Sequence, residues 1–423
     1  MLDLKLLRDN PEAVKAGIRI KHRDATLVDR ALELDRRRRE LIQDVERLRA
    51  DQNRVSTEIA KLTGDARARR IEAMREVATQ LKALEPELKA LDDQLTRVLL
   101  ALPNLPHESV PPGADETANV LVRSWGNPPQ FEFPPLDHLA LSARLGILDV
   151  ERGAKVGGSR AYYLRGGGVL LEQALVRFAL DVLVAEGFTP VIPPFMVRPD
   201  VLLGAYGGAE LDTQQVYRID GEDLVLIGTS EQSLAGMYKD ETLEEKLLPL
   251  RLAGVSWCFR REAGSYGKDV HGIYRVHQFE KVEMFSFSLP EASWAEHEYL
   301  VSVEERLMQR LGLPHRVVTL CGGETSTPAA KTYDLEAWMP SRRGYGETQS
   351  CSNCTDFQAR RLGIRVRRAK GTSYVHMLNG TAIATPRALI PLLENYQQRD
   401  GTVRIPPALV PYMGGQTVLV PPS

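Results

Sequence analysis

The segment Phe259–Glu283, FRREAGSYGKDVHGIYRVHQFEKVE, collects arginines, carboxylates and aromatic side chains in one short stretch. As a β-hairpin, it places Arg260 and Glu262 at the end of one strand and Phe279 and Glu283 on the return strand. An arginine can neutralise a phosphate, a planar ring can stack on a base, and a carboxylate can accept a hydrogen bond from an amine or a hydroxyl. The combination predicts a site for a nucleotide together with an amine.

The return strand, YRVHQFEKVEMF, alternates with a period of two, which assigns its side chains to opposite faces of a sheet. The predicted faces are Arg275, His277, Phe279, Lys281 and Glu283 on one side, and Val276, Gln278, Glu280 and Val282 on the other. The first face has the composition expected of a binding surface.

Two further motifs are too incomplete to define a site. The glycine-rich run GAKVGGSRAYYLRGGG lacks the Gly-Lys-Ser/Thr of a P-loop and the GxGxxG of a dinucleotide fold. Cys351 and Cys354 have zinc-knuckle spacing, but no second Cys or His pair stands at a suitable distance. A structural role is favoured for this cysteine pair, and no zinc is expected.

The composition narrows the class of protein. The chain has 423 residues, 43% of them hydrophobic, and a net charge of -2, so any nucleic-acid contact must depend on local charge. Cys258 and Cys321 are isolated, which favours a reducing compartment over a disulfide framework. The charged N-terminus is unlike a signal peptide, and no apolar run reaches about 18 residues. We expect a cytoplasmic protein with no membrane partner.

Apolar residues recur every three or four positions over residues 27–62 and again over 77–102, which is a heptad pattern. The break at Thr63–Asp65 predicts a turn between two antiparallel helices of about 36 residues each, forming a coiled-coil arm over residues 27–102. Pro86 is expected to bend the second helix.

The tip of this arm is basic. Between Arg47 and Arg75, eight basic minus four acidic residues leave a charge of +4. One interpretation is a dimerising coiled coil or a solvated charged face. The other is a finger that follows a nucleic-acid backbone, and RNA suits it better, because the A-form major groove is too narrow for side chains and leaves shape and phosphates to be recognised.

Proline marks a boundary after the arm. The range 103–135 holds eight of the 26 prolines, which predicts a linker. We therefore expect domains at residues 1–105 and 136–423, with a Pro-rich linker at 106–135. The C-terminal part mixes short β-rich runs with helical patterns but has no regular βαβ alternation, so it predicts an α+β domain on a mainly antiparallel sheet flanked by helices.

The motifs, taken in order, resemble those of class II aminoacyl-tRNA synthetases. GFTPVIPPF is similar to motif 1, Arg260-x-Glu262 with Phe279 to motif 2, and NGTAIATPRALIPLLENYQ with Arg387 to motif 3. Together with the arm, GTSEQ, FRREAGSYGKD and ETQSCSNCTDFQARR, they resemble the bacterial-type seryl-tRNA synthetases. The resemblance spans nearly the whole chain and implies ATP-dependent activation of serine and its transfer to tRNA, with residues 1–105 as the tRNA-binding domain.

The resemblance also implies roles in ATP binding. Arg260 and Arg387 would be catalytic, with Arg260 on the α-phosphate and Arg387 stacked on adenine opposite Phe279. Glu347 and Ser350 match the family's Mg²⁺ positions. The complete implied ATP set is Arg260, Arg261, Glu262, Val276, Phe279, Glu347, Thr348, Gln349, Ser350 and Arg387, although alternation would point the Arg261 side chain away from ATP.

The implied serine site contains carboxylates and hydroxyls. Thr229 and Glu231 would hold the amino group, and Glu283 with Thr381 would recognise the hydroxyl. The complete implied set is Thr229, Ser230, Glu231, Arg260, Glu283, Asn379 and Thr381. A buried carboxylate that loses its hydroxyl partner explains how such a pocket refuses alanine.

The implied partners are L-serine, tRNA(Ser), tRNA(Sec) as a further candidate, and a second copy of the chain in a homodimer with tRNA bound across subunits. The loop from Gly264 to Gly272 is expected to be mobile and basic enough to meet the tRNA end. Two alternatives stay open: a non-catalytic RNA-binding relative, and an amino acid:carrier-protein ligase on the same catalytic fold. The presence of Arg260, Arg387 and Glu347 counts against the first, and the arm counts against the second.

Overall fold

The computed structural model describes residues 1–212, 214–263 and 272–422. The chain divides into one unit of Met1–Arg19 with Arg23–Pro103 and a second of Ile20–His22 with Asn104–Ser423. The predicted loop Gly264–Gly272 lies, apart from its last residue, outside the described residues. In the described part of the chain, no helix has both the length and the apolar character needed to cross a bilayer.

The first unit is helical, as the heptads predict. Its helices are α1 (Leu4–Asp9), α2 (Pro11–Ile20), α3 (Thr26–Ile59) and α4 (Gly64–Ala101), so the two long helices have 34 and 38 residues. Helices α3 and α4 pack against each other and bury heptad positions including Val45, Val55 and Leu91. Helix α4 runs through Pro86 without interruption.

Two polar positions of α3 are held by ion pairs. Arg38, a polar position in the heptad seam, pairs with Asp92 of α4. Asp35 is fully buried and accepts two hydrogen bonds from Arg8 of α1, at 2.8 Å from Nε and 2.6 Å from Nη2. Burial alone would raise the pKa of Asp35, but Arg8 and Arg39 outweigh it and lower that pKa.

The second unit is built on an eight-stranded sheet with the order β1-β10-β11-β12-β15-β9-β8-β4. Neighbouring strands of this sheet pair antiparallel, except β4 and β8, which are parallel. This mainly antiparallel sheet confirms the predicted α+β class. The strands are β1 (Val120–Trp125), β2 (Leu148–Asp149), β3 (Tyr163–Leu164), β4 (Thr189–Val191), β5 (Met196–Val197), β6 (Val225–Leu226), β7 (Thr242–Glu244), β8 (Leu250–Phe259), β9 (Gln278–Ser288), β10 (His315–Thr319), β11 (Lys331–Met339), β12 (Gly344–Asn353), β13 (Arg365–Arg368), β14 (Gly371–Tyr374), β15 (His376–Ala384), β16 (Val403–Arg404) and β17 (Val418–Leu419).

Helices cover the sheet. The apolar faces of the helices at 167–185, 293–310 and 385–396 form the main core with the sheet. The α-helices are α5 (His138–Leu145), α6 (Val150–Gly157), α7 (Gly167–Ala185), α8 (Pro199–Tyr206), α9 (Ser230–Ala235), α10 (Ser293–Arg310), α11 (Phe357–Leu362) and α12 (Thr385–Tyr396), with 3-10 turns at Glu116–Ala118, Gly236–Tyr238, Glu245–Leu247, Pro340–Arg342 and Val410–Met413. The Pro-rich range 103–135 contributes β1, an edge strand of the sheet.

The buried Asp35 gives the first testable prediction. Arg8→Met leaves a buried carboxylate with one fewer cation, so we expect the free energy of unfolding of the helical unit to fall by about 1–2 kcal/mol, a value reduced for the partial exposure of Arg8. Urea denaturation followed by helical circular dichroism measures it. Because the pKa of folded Asp35 is lowered, the difference from wild type is present above the unfolded pKa of about 3.9 and shrinks as the pH falls through the folded value.

Arg36→Met is the matched control. Arg36 lies next to Asp35 on α3, but it is exposed and pairs with the exposed Glu33 and Glu40. We expect no measurable loss of stability for this variant, since exposed pairs contribute little. Equal losses in the two variants would contradict the assignment of stability to the buried pair.

Candidate functional site

A cavity of about 310 Å³ opens over β9, β12 and β15. Of the residues predicted for the site, all but Arg261 and Ser230 line it. The lining members are Thr229, Glu231, Arg260, Glu262, Val276, Phe279, Glu283, Glu347, Thr348, Gln349, Ser350, Asn379, Thr381 and Arg387. The fold therefore brings together residues that are more than 150 positions apart in the sequence.

Strand β9 forms the centre of the cavity floor. Phe279, Lys281 and Glu283 alternate onto the cavity face, as the period of two predicts. The predicted start of the strand at Tyr274 is wrong, because β9 begins at Gln278. The chain before Gln278 is irregular, and there the Tyr274 hydroxyl donates to the Glu347 carbonyl at 2.8 Å. Because this segment is not a strand, the consecutive residues Arg275 and Val276 both line the cavity.

Two β-bulges border the cavity. In β12 the register with β11 shifts so that Thr348 is the extra residue between Glu347 and Gln349. In β15 the register with β9 shifts around Ala382, next to Thr381. The Gln349 side chain donates to the Ala382 carbonyl at 2.8 Å and so joins the two bulged strands. A bulge re-aims side chains, and four consecutive β12 residues, 347–350, all line the cavity.

Arg260 lies at the end of β8 with its guanidinium over the ring of Phe279, 5.3 Å from the ring centroid. Its Nε donates to the Gly228 carbonyl at 3.0 Å, which fixes the direction of the side chain. Glu262 has a left-handed backbone conformation with a φ of 49°, which is uncommon for a residue other than glycine. Its Oε2 lies 3.3 Å from Nη1 of Arg275, and Arg160 donates to its carbonyl.

Arg387 stands in the first turn of α12 and pairs with Glu347, with 2.5 Å between Nη1 and Oε1. Its guanidinium also lies 4.8 Å from the ring centroid of Tyr274. Asp334 of β11 is opposite Ser350, and burial together with the nearby Glu347 carboxylate raises the pKa of Asp334 well above its usual value. This end of the cavity is rich in carboxyl and hydroxyl oxygens.

The other end is formed by the GTSEQ segment. Thr229 caps α9, its hydroxyl accepting from the Glu231 amide at 3.2 Å, and the Gln232 side chain accepts from the Gly228 amide at 2.9 Å. Such a Thr-x-x-Gln spacing is a helix-start signal. The short helix holds the Glu231 carboxylate at the cavity wall.

Glu231 is the most perturbed carboxyl of this end. Its Oε1 accepts from Gln358 at 2.7 Å and from Asn379 at 3.1 Å. Burial and the neighbouring Glu283 raise the pKa of Glu231 to about 7, against the opposing effects of Gln358, Lys281 and Arg260. The carboxyl therefore changes charge near neutral pH.

Ser230 and Arg261 lie away from the cavity. The Ser230 hydroxyl is fully buried and donates to the Gly254 carbonyl of β8 at 3.4 Å. A Cβ at Gly254 would stand only 2.8 Å from that hydroxyl, so glycine is needed for the two elements to approach. Arg261 is exposed, and its amide donates to the Gln215 carbonyl at 3.0 Å.

The cavity is also lined by residues for which the sequence predicted no specific role. They are Tyr274, Arg275, Lys281, Ser326, Ser352, Ala384 and Pro386. Alternation along the strand had placed Arg275 and Lys281 on the same face as Phe279 and Glu283. That shared face was the sequence signal that could have identified them as cavity residues.

Ser326 had no such signal, because it lies in a loop held by distant residues. Lys21, fully buried, donates to the carbonyls of Ser326 (2.6 Å) and Ala329 (2.9 Å). Asn104 donates to the Pro328 carbonyl at 2.9 Å. The position of this wall of the cavity therefore depends on contacts of long sequence separation.

The arrangement can bind anions at the guanidinium groups, stack a flat ring on Phe279, and hold a cationic or hydroxyl group between carboxylates. Within residues 1–212, 214–263 and 272–422, no cluster of three His, Cys, Asp or Glu side chains is arranged to hold a metal ion. The described cysteines are free and buried. The chemistry favoured by these groups is the positioning of charged reactants rather than nucleophilic attack by a side chain.

Known proteins match the whole chain. Residues 1–106 match the seryl-tRNA synthetase N-terminal domain, and residues 215–396 match the tRNA synthetase class II core domain (G, H, P, S and T). A serine–tRNA ligase of Dictyoglomus turgidum is 46% identical over 417 residues, 98% of each chain.

Two solved structures are similar over their full lengths. The seryl-tRNA synthetase of Pyrococcus horikoshii, complexed with ATP, has a TM-score of 0.95 and 44% identity and covers 100% of both chains. The cytoplasmic serine–tRNA ligase of Naegleria fowleri, in complex with AMP, has a TM-score of 0.89 and 36% identity and covers 100% of this chain and 99% of that one.

Proposed function

The chain belongs to the seryl-tRNA synthetases of class II, and from this membership we propose that one group of its cavity residues binds ATP and a second group binds serine. It is a serine–tRNA ligase, which uses ATP to activate serine and charges tRNA with it. This assignment of residues rests on one observation. The arginines and Phe279 line the same cavity as the carboxylates of the GTSEQ end.

ATP occupies the end formed by motifs 2 and 3. Phe279 stacks on one side of adenine and Arg387 on the other, while Glu262 accepts from the adenine amino group. Arg260 holds the α-phosphate and the serine carboxylate, which the proximity of its guanidinium to Phe279 supports. Val276 and residues 347–350 complete the nucleotide site, since all of them line this cavity.

Magnesium fits the oxygen-rich end. Glu347 and Ser350 both line the cavity from β12, and a carboxylate and a hydroxyl are oxygen donors of the kind that Mg²⁺ prefers. Glu347 and Ser350 would hold the ion, and the bound ion would neutralise phosphate charge. The pairing of Glu347 with Arg387 keeps its carboxylate oriented before ATP arrives.

Serine occupies the GTSEQ end. Glu231 and Thr229 hold its ammonium group, and Glu283 with Thr381 receives its hydroxyl. The Thr381 hydroxyl lies 3.5 Å from Oε2 of Glu283, within reach of a shared substrate hydroxyl. Asn379 acts through Glu231, to which it donates a hydrogen bond.

The reaction needs positioning at each step. The serine carboxylate attacks the α-phosphorus of ATP, the bond to pyrophosphate breaks, and seryl-adenylate forms. A terminal ribose hydroxyl of the tRNA then attacks the serine carbonyl and AMP leaves. Arg260 lowers the repulsion between the carboxylate and the phosphate by facing both, which is catalysis by preorganised charge.

The partners proposed for this enzyme follow from the family. The arm of residues 27–102 binds tRNA(Ser), supported by the net positive charge of its tip, and the proposal includes tRNA(Sec). A homodimer with tRNA bound across subunits is proposed, and the exposed Val120, Leu121 and Val122 on the edge strand β1 support it. A cytoplasmic location is proposed, supported by cysteines that are free in the structure.

The two adjacent arginines of motif 2 test the assignment to ATP. Arg260→Ala should reduce kcat in serine-dependent ATP–pyrophosphate exchange by about 10²–10³-fold, the usual effect of removing one preorganised donor. Arg261→Ala is the matched control and should change kcat less than about threefold, because Arg261 is outside the cavity lining. Similar losses for the two variants would refute the assignment.

The Glu231 carboxyl tests the serine subsite through pH. Only the ionised form attracts the serine ammonium, and the pKa is about 7. The value of kcat/KM for serine should therefore fall about tenfold per pH unit below that point, while kcat/KM for ATP should change less.

Gln358→Leu sharpens the pH experiment. Gln358 stabilises the charged form of Glu231, so the variant should move the break in the profile to higher pH by roughly one unit. Gln416→Leu, at an exposed site, is the control and should leave it in place. A break that Gln358→Leu does not move, or moves to lower pH, would exclude Glu231 as its source.

A further inference from the structure

Lys281 is a cation on the floor of the cavity, and it belongs to neither the proposed ATP site nor the proposed serine site. It lies on β9 two positions after Phe279 and two before Glu283, so it stands between the adenine end and the serine end. Only 5% of the residue is exposed. An ammonium group this deeply buried is costly unless it is paired, so its partners indicate its purpose.

The partners of Lys281 are the hydroxyl and the carboxylate of the serine subsite. Its Nζ donates to Oγ1 of Thr229 at 2.8 Å and forms a close ion pair with Oε2 of Glu283. The Thr381 hydroxyl also points to Oε2. Both contacts of the Glu283 carboxylate thus fall on one oxygen, and among the described residues Oε1 has no hydrogen-bond donor.

Lys281 also lies near three carboxyls from three different elements. They are the half-buried Glu231 of α9 and the buried Glu283 of β9 and Glu304 of α10. Glu304 is fully buried, and neither of its carboxyl oxygens has a hydrogen-bond partner within the described part of the chain. Burial raises the pKa of Glu304 well above its usual value, Glu283 adds to this, and Lys281 opposes it.

The charge balance follows from this geometry. Glu304 is best accommodated as the neutral acid, since no residue in the described ranges donates a hydrogen bond to it. The ammonium of Lys281 is in contact with Oε2 of Glu283 and fixes the orientation of that carboxyl group. Without that ammonium, Glu283 would face two other carboxyls with no cation in contact, and Oε1 would no longer be held toward the substrate hydroxyl.

We propose that Lys281 is a positioning residue for serine specificity, which fixes the Glu283 carboxylate through Oε2 and presents Oε1 to the substrate hydroxyl. This inference rests on the proposed assignment of Glu283 to the serine hydroxyl. Lys281 thereby makes the refusal of alanine possible, because discrimination of this kind requires a buried acceptor that stays unpaired when the hydroxyl is missing.

The experiment compares Lys281→Met with wild type in ATP–pyrophosphate exchange driven by serine and by alanine. Lys281→Met should raise the KM for serine and lower the ratio of kcat/KM for serine over alanine, each by roughly 10- to 100-fold, the effect of losing a charge-assisted hydrogen bond. The KM for ATP should stay within about threefold. Lys281→Gln is smaller and keeps a hydrogen-bond donor for Thr229, and it should also lower the ratio of kcat/KM for serine over alanine. It replaces the Met variant in the experiment if that variant does not fold.

A double-mutant cycle separates positioning from a general structural role. If Lys281 acts through Glu283, Lys281→Met in a Glu283→Gln background should change the serine-to-alanine ratio by less than about threefold. Glu304→Gln is the control in the same buried cluster, and its ratio should match wild type because the neutral amide mimics a neutral acid.

The outcomes are distinct. A folded Lys281→Met or Lys281→Gln variant with an unchanged ratio would overturn the inference, as would equal losses in the wild-type and Glu283→Gln backgrounds. A wild-type enzyme that shows no serine-dependent exchange would instead refute the proposed function. A Glu304→Gln variant that loses the ratio as strongly as Lys281→Met would also overturn the inference, since the effect would then belong to the whole buried cluster.

Discussion

The register of β9 between β8 and β15 is the constraint on which the site depends. This pairing sets Glu283 opposite Gly254 on one side and Thr381 on the other. It also turns Phe279 toward the same cavity as Glu283. A slip of one residue would turn every β9 side chain to the opposite face and remove the ring and the carboxylate together.

Buried charge is the second constraint, because each ionised group at the site needs a partner before substrate arrives. Arg387 has Glu347, Glu262 has Arg275, and Lys281 has Glu283. These pairs keep the side chains in place without filling the cavity, and the substrates then meet oriented groups. Preorganisation of this kind reduces the reorganisation needed during the reaction.

The sequence predicted the features that depend on local periodicity. The heptads located α3 and α4, and alternation placed Phe279 and Glu283 on one face. It could not predict the bulges at Thr348 and Ala382, which arise from how two strands pair. The same holds for Ser326, whose position is fixed by long-range contacts with carbonyl groups of its loop, and for Ser230, which resembles a site residue in the motif but donates to Gly254 behind the cavity.

Serine selection is the central claim, and ATP–pyrophosphate exchange measured with each standard amino acid in turn tests it most directly. A cavity that pairs a buried carboxylate with the substrate hydroxyl should give the highest kcat/KM with serine and a value about 10⁴-fold lower with alanine, which has the same backbone groups but no hydroxyl. Exchange driven as well by alanine, or better by any other amino acid, would contradict the account.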